Sequence, residues 1–214
     1  MNYVNHVLAL ILFGFTSISN ANLIFNGGFE VSTSPLSTPI RWENIGHEEG
    51  VVTYNQVGLP AYEGLNFYDV GGFHILGSPG DGITQSFETI IGVTYDVFFG
   101  LSSENEPTNR TETLTVTAGD ASVNYILMAS NEGPFRKAFT TQSFSFIALN
   151  ALTALTFIDS GGDSGGRNDP IIDDVIVVVK VINPGLNEVP LPGAVWLFGS
   201  ALLGFAGFGR KKSI

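Results

Sequence analysis

A chain of 214 residues with 44% hydrophobic and only 14% charged residues has the composition of one folded domain with short appendages, which excludes an intrinsically disordered chain. Cysteine is absent, which excludes disulfide bonds and thiolate chemistry. The net charge of −11 has the wrong sign for phosphate backbones, so we expect no nucleic-acid partner.

The N-terminal residues 1–21 have the pattern of a secretory signal peptide. An apolar stretch runs from Val7 to Phe15, and Ser19 and Ala21 occupy the small-residue positions of a cleavage site. The stretch is too short to span a bilayer, although the usual basic n-region is missing. Cleaved export is therefore predicted, with an uncleaved anchor or a buried strand as the alternatives.

Residues 22–188 are predicted to form an all-β sandwich. Apolar residues alternate with others in TYDVFFGLSS, TLTVTAG, SFSFIAL and TALTFID, which is the pattern of half-buried strands. The segment DDVIVVVKV is apolar on both faces until Lys180, as in a strand covered on both sides. Turn-forming segments such as SPGDG, TAGDAS and SGGDSGGRNDP separate the strands, and no helical periodicity competes with them.

This segment contains all twenty Asp and Glu of the chain and six Lys and Arg, a net charge of −14. Such a surplus suits solubility, cation binding or contact with neutral sugars. A solvated surface accounts for most of these carboxylates.

The segment Gly162–Gly166 spells GDSGG, the sequence around the nucleophile of trypsin-like proteases. Ser164 would need a His base and an orienting carboxylate, and neither His47 nor His74 has the corresponding context. No other catalytic motif is present, so we expect no enzymatic activity. A flexible connector is the predicted structure, and calcium binding by the Asp residues of this loop is an alternative.

Sugar binding requires exposed aromatic rings beside polar groups. The candidate rings are Tyr54, Tyr62, Tyr68 and Phe135, of which Tyr62 and Phe135 follow closely after prolines in predicted loops. Trp42 is expected to pack in the core instead, as a lone Trp near a first strand usually does.

The C-terminal tail has the pattern of a single transmembrane helix. Residues 194–209 carry no charge and would form a helix about 24 Å long, somewhat short of a ~30 Å hydrocarbon core. Arg210, Lys211 and Lys212 follow, and basic residues stay on the cytoplasmic side. A buried core helix is the alternative interpretation.

Residues 189–214 resemble the PEP-CTERM sorting signal of Gram-negative bacteria. The tripartite pattern consists of Val189-Pro190-Leu191-Pro192, the apolar span and the basic tip, with Leu191 where the family has Glu. The resemblance implies recognition by an exosortase, a transient inner-membrane anchor, and a final location at the cell surface or in the extracellular polysaccharide of a biofilm.

The body resembles the galactose-binding-like jelly roll that several carbohydrate-binding modules and a plant cell-wall family share. The resemblance rests on the opening NLIFNGGFE, the following Trp42 and the closing PIIDDVIVV. It implies a structural calcium ion held by Glu30 and Asp173, with two metal-free surface acids as the alternative. By regular strand alternation Asp174 should face away from Asp173.

Together these patterns predict an exported, non-catalytic matrix protein that associates with extracellular polysaccharide. Two alternatives remain open: a structural surface protein that contacts other proteins, and a polysaccharide hydrolase with an unrecognised site.

Replacement of Pro190 and Pro192 by Ala should impair sorting, because the prolines keep the recognition segment extended and outside the helix. We expect full-length protein to accumulate in the inner membrane, measured by immunoblotting of cell fractions. Equal release of the variant and the wild type would contradict the sorting hypothesis.

Overall fold

The computed structural model describes the backbone and, apart from residues 51–53 and Met128, the side chains of residues 21–34, 37–46, 51–53, 60–71, 79–103, 111–128, 138–161 and 169–181. The chain divides into two compact units, Met1–Lys180 and Val181–Ile214. Residues 1–20 of the expected signal peptide and the whole expected sorting signal, residues 189–214, lie outside the described residues. Within the described part of the chain, no helix is long and apolar enough to cross a membrane.

The described residues form ten β-strands, which confirms the predicted all-β class. Their bounds in chain order are β1 Glu43–Ile45, β2 Val51–Thr53, β3 Asn66–Asp69, β4 Gly82–Glu88, β5 Thr94–Ser103, β6 Thr111–Ala118, β7 Ala121–Met128, β8 Thr140–Ile147, β9 Leu152–Asp159 and β10 Pro170–Val179.

The strands pair antiparallel in two five-stranded sheets. Sheet A has the order β1-β4-β9-β6-β7, and sheet B has the order β2-β3-β10-β5-β8. The pairs β3–β10, β4–β9, β5–β8 and β6–β7 are nested like the arms of one long hairpin. Such a hairpin wrapped into two sheets is a jelly roll, so the strand pairing itself confirms the predicted architecture.

The alternation seen in the sequence determines which side chains face the core. Tyr95, Val97, Phe99 and Leu101 of β5 are all buried, as predicted, and β10 lies in the interior of sheet B between β3 and β5. In β6 the even-numbered residues Glu112, Leu114, Val116 and Ala118 are buried, and the four threonines that alternate with them are half-buried. A period of two therefore explains most of the strand faces.

Aromatic rings fill the space between the sheets. Phe29 lies 5.4 Å from Trp42 and 5.5 Å from Tyr68, measured between ring centroids. Phe157 of sheet A lies 6.3 Å from Trp42 and 5.2 Å from Phe99 of sheet B. Burial of each such side chain stabilises the fold by roughly 1.5–3 kcal/mol. The predicted core position of Trp42 is confirmed.

The opening segment is hydrogen-bonded to the closing strand. Leu23 N–H donates to the Val177 carbonyl (2.9 Å), and Val177 N–H donates to Asn22 Oδ1 (2.9 Å). Gly27 lies so close to Val175 that a Cβ atom at Gly27 would collide with the Val175 carbonyl oxygen. Residues 22–181 thus contain every described strand and the whole described core, so we expect this segment to fold by itself.

Candidate functional site

The segment Pro60–Asn66, which we call the clamp loop, lies on the outer face of sheet B. The Tyr62 ring covers Gly100 of β5, where an added Cβ atom would be only 2.8 Å from the ring. Ala61 packs against a small second cluster formed by Phe67 and Ile171. The absence of a side chain at Gly100 therefore makes room for the tyrosine ring.

Two carboxylates hold the clamp loop through its backbone. Asp173 Oδ2 accepts hydrogen bonds from the N–H groups of Tyr62 (2.8 Å) and Glu63 (3.0 Å). Glu30 Oε1 accepts hydrogen bonds from the N–H groups of Leu65 (2.7 Å) and Asn66 (2.9 Å). Each carboxylate thus binds two consecutive amide groups, and hydrogen bonds to an ionised acceptor are among the stronger ones in proteins.

Gly64 lies between the two clamped dipeptides and requires the freedom of glycine. Its φ angle is +67°, in the left-handed region. A Cβ atom at this position would also collide with Glu30 Oε1. Any other residue would therefore strain the backbone and displace the carboxylate.

Glu30 of the opening segment and Asp173 of β10 both lie beside Gly28. A Cβ atom added to Gly28 would lie 4.0 Å from Asp173 Oδ1 and 4.0 Å from Glu30 Cγ, so both side chains border the same glycine. Gly28 is thus a common neighbour of the two acids that the family resemblance implies as calcium ligands.

The expectation for Asp174 is wrong. The pairing of β10 with β5 shifts between Asp173 and Ile176, and the φ angle of Asp174 is +48°. This β-bulge interrupts the alternation of side chains. Ile172 and Val175 both face the core, so the bulge leaves Asp174 on the outer side with Asp173, where Glu63 of the clamp loop is its neighbour.

Burial dominates the electrostatics of these acids. Asp173 is completely buried, and desolvation raises its pKa to about 7, although the backbone N–H groups of Glu63, Asp174 and Tyr62 favour the charged form. Burial also raises the pKa of Asp174, and the neighbouring Glu63 raises it further. The ion pair between Lys180 and Asp96 involves none of these acids.

The donor set fits a calcium ion in its chemistry. Calcium prefers carboxylate oxygens and accepts backbone carbonyl oxygens and water in addition. Glu30 and Asp173 supply two carboxylates beside Gly28, and a cation there would offset the cost of burying the Asp173 charge. No three acidic or histidine side chains converge as a metal site within the described residues, so backbone oxygens or water would complete the coordination.

Two exposed rings stand on the outer face of sheet B. Tyr62 is 41% exposed, and its hydroxyl shares a hydrogen bond with Thr141 Oγ1 (2.6 Å). Phe98 is 38% exposed and points to the same face as Gly100, two residues further along β5. We call the surface formed by Tyr62, Phe98, Thr141 and Ser143 the aromatic face.

Polar groups border the aromatic face on β5, β8 and the end of β10. Lys180 Nζ donates to Asp96 Oδ1 (3.0 Å) and to Ser145 Oγ (2.8 Å). Ser145 Oγ in turn donates to Asp96 Oδ1 (2.6 Å). The rings of the aromatic face therefore have hydroxyl, carboxylate and ammonium groups beside them.

Tyr62 is the one predicted surface ring that the described residues show as exposed. Tyr68 is completely buried and donates its hydroxyl to Asn44 Oδ1 (2.9 Å), so it cannot serve as a surface platform. The strand alternation explains this correction, because Tyr68 faces the core between its neighbours in β3. Tyr54 and Phe135 lie outside the described residues. Phe98 was not among the predicted surface rings, although the inward-facing Val97 and Phe99 on either side of it already implied that it points outward.

Only the flanks of the GDSGG loop are described. Ser164, His47 and His74 lie outside the described residues. Asp159 is buried and its Oδ1 accepts a hydrogen bond from Gly161 N–H (2.8 Å), so it shapes the start of the loop. Asp169, at the other end, is also buried.

No protein-family model and no curated protein matches the chain. Among solved structures, the chain is similar to TmCBM61 in complex with beta-1,4-galactotriose, with 19% identity and a TM-score of 0.48 over 75% of this chain and 99% of that one. It is also similar to a cyclase from Fischerella sp. TAU (18%, TM-score 0.49, 73% and 95%) and to a family 16 carbohydrate-binding module (16%, TM-score 0.42, 73% and 99%). Likenesses at this level carry no argument about ligand or activity.

The buried Asp173 predicts a pH dependence of stability in the absence of calcium. Its pKa is raised from 3.8 to about 7, so between these values the folded state binds the proton that the unfolded state has released. The free energy of unfolding should fall as pH rises through this window, by roughly 4 kcal/mol at most. Urea unfolding of residues 22–181 in chelator from pH 4 to pH 8 measures the slope. Asp173→Asn should make it shallower, with the raised pKa of Asp174 accounting for the remainder, and an unchanged slope in the variant would contradict the assignment.

Proposed function

We propose that the protein is an exported, non-catalytic carbohydrate-binding protein of the cell surface or extracellular matrix. The observation that carries the proposal is the aromatic face, where Tyr62 and Phe98 lie exposed on one side of sheet B. Aromatic side chains offer a large contact area at a low cost in conformational entropy, so two of them on one face of a rigid sheet suit a binding surface.

The chemistry of the aromatic face suits a sugar. The C–H face of a pyranose ring is apolar and flat enough to lie on an aromatic ring, while its hydroxyl groups need hydrogen-bond partners. Thr141, Ser143 and the linked Ser145, Asp96 and Lys180 provide hydroxyl, carboxylate and ammonium groups within the same sheet. A net charge of −14 over residues 22–188 favours neutral sugars over acidic ones.

The clamp loop prepares Tyr62 for binding. The backbone N–H of Tyr62 is held by Asp173, its hydroxyl by Thr141, and its ring lies over Gly100. A ring fixed at three points loses little conformational entropy when a ligand arrives. The carboxylate clamps therefore contribute to affinity although they lie behind the binding surface.

Calcium forms part of the proposal as a structural ion. Glu30 and Asp173 would hold it, and its double charge would offset the buried carboxylate and fasten the opening segment to β10. Hydrogen bonds already join the opening segment to β10, so the ion would add stability to segments that are already paired.

The destination of the protein is proposed from its sequence patterns. The signal peptide and the PEP-CTERM-like tail support export, recognition by an exosortase and a transient anchor in the inner membrane. Extracellular polysaccharide is then the partner that the aromatic face would meet.

Binding of a neutral oligosaccharide should depend on both exposed rings. We expect Tyr62→Ala and Phe98→Ala each to weaken binding about tenfold, or ~1.4 kcal/mol. A glycan array identifies the ligand, and titration calorimetry measures the affinities. Phe25→Ala is the matched control, because Phe25 is an exposed ring outside the aromatic face.

Three results would contradict non-catalytic carbohydrate binding at this face. Equal affinity of all variants would move the site elsewhere on the protein. A complete lack of glycan binding would favour a structural protein that contacts other proteins, and release of reducing ends from a polysaccharide would favour the hydrolase.

Calcium should raise the melting temperature of residues 22–181. At a hundredfold excess over Kd the ion stabilises the folded state by about 2.7 kcal/mol, which corresponds to several degrees at roughly 2–4 °C per kcal/mol. Asp173→Ala and Glu30→Ala should each remove the calcium-dependent part. Asp120→Ala, which changes an acid at a hairpin tip, should retain it. Superimposable melts in calcium and in chelator would exclude the ion.

A further inference from the structure

The exposed edges of a β-sandwich present unpaired backbone groups, and proteins usually protect them. In this fold the edges are β1 and β7 of sheet A and β2 and β8 of sheet B. The edge strands β1 and β2 have three residues each, so they offer little to a pairing strand. Short length protects these two edges.

The edge of β8 is protected by hydrogen bonds. At its C-terminal end, Ile147 N–H donates to Asp120 Oδ1 (2.7 Å), and Asp120 N–H donates to the Ile147 carbonyl (3.2 Å). In its middle, the Tyr125 hydroxyl donates to the Ser143 carbonyl (3.3 Å). The β6–β7 hairpin thus covers two of the outward-facing positions of β8.

Among the described residues, the edge of β7 has none of these protections. It is eight residues long, ASVNYILM, and contains no charged residue, proline or glycine. A two-residue turn with Gly119 at φ +53° closes the β6–β7 hairpin, so Ala118 and Ala121 form its first hydrogen-bonded pair. The backbone groups of Ser122, Asn124 and Ile126 consequently point away from β6.

These outward groups find no backbone partner among the described residues. The Ile126 side chain beside them is 69% exposed. The strand therefore offers a row of free donors and acceptors together with an apolar side chain, which is the arrangement that an added strand completes.

We infer that the partner of β7 is the β7 strand of a second copy of this chain, paired antiparallel about a two-fold axis. An antiparallel edge is complementary to itself, because each outward residue offers one donor and one acceptor. The two copies are strongly acidic, with a net charge of −11 each, and they repel each other over most surfaces. The uncharged β7 edge is a place where they can approach closely.

The direction of the backbone groups restricts the register. Only the even-numbered residues of β7 direct their backbone N–H and C=O groups away from β6. In the dimer, an even-numbered residue of one copy must therefore lie opposite an even-numbered residue of the other. The inferred register places Asn124 opposite its own symmetry mate and Ser122 opposite Ile126 of the other copy. The two sheets A then continue into one ten-stranded sheet, and Ile126 loses part of its exposure.

The first test is the oligomeric state of residues 22–181 by sedimentation equilibrium at concentrations up to the millimolar range. We expect a monomer–dimer equilibrium that Ile126→Lys shifts to monomer, because a lysine at an edge disfavours strand pairing. Ile90→Lys, at an equally exposed isoleucine in a turn, should leave the dimer intact. A monomeric wild type, or a dimer that Ile126→Lys does not weaken, would overturn the inference.

The second test uses the absence of cysteine in the chain. In Asn124→Cys, two thiols should face each other across a hydrogen-bonded pair with Cα atoms about 5.5 Å apart, a distance that a disulfide can bridge. We expect a covalent dimer under mild oxidation on a non-reducing gel. Ser122→Cys lies on the same strand and face, but its mate is about 13 Å away and should not cross-link. Equal cross-linking of both variants, or of neither, would overturn the pairing of β7.

Discussion

A carboxylate that is completely removed from water must find hydrogen-bond donors or lose its charge, and Asp173 is such a group. Its donors are backbone N–H groups of the clamp loop and of its own bulged strand. The bulge at Asp174, the position of the loop over sheet B and the orientation of Tyr62 all follow from this requirement. A buried acid in the closing strand thus determines how the outer surface of the protein is arranged.

The hairpin of β6 and β7 has a comparable influence on the other side of the sandwich. Its tip approaches β8 so closely that a Cβ atom at Gly119 would collide with the Ile147 carbonyl. Asp120 then pairs with the backbone of Ile147, and the two sheets are joined at this corner. The same geometry that protects the edge of β8 leaves the outer edge of β7 open to solvent.

The fold was predictable from the sequence because the strands obey a period of two. The inward sets of β5, β6 and β9 follow directly from the order of apolar residues, and so does the core position of Trp42. Prediction failed where the period is broken: the bulge turned Asp174 towards the clamp loop, which no alternation rule anticipates. The site was predictable only in part. Glu30 and Asp173 came from a family resemblance, whereas their hold on backbone amides depends on the loop conformation, which the sequence does not reveal.

The way in which the clamp loop is held affects how its sequence can change. Glu30 and Asp173 bind backbone N–H groups, which every residue except proline has. These hydrogen bonds therefore do not depend on which side chains stand at positions 62, 63, 65 and 66. Gly64 is the exception, since both its φ angle and its closeness to Glu30 exclude a Cβ atom. Under the proposed function, substitutions at Tyr62 and Leu65 would alter the binding surface while leaving these backbone hydrogen bonds in place. The fold therefore constrains the backbone of this loop far more tightly than its side chains.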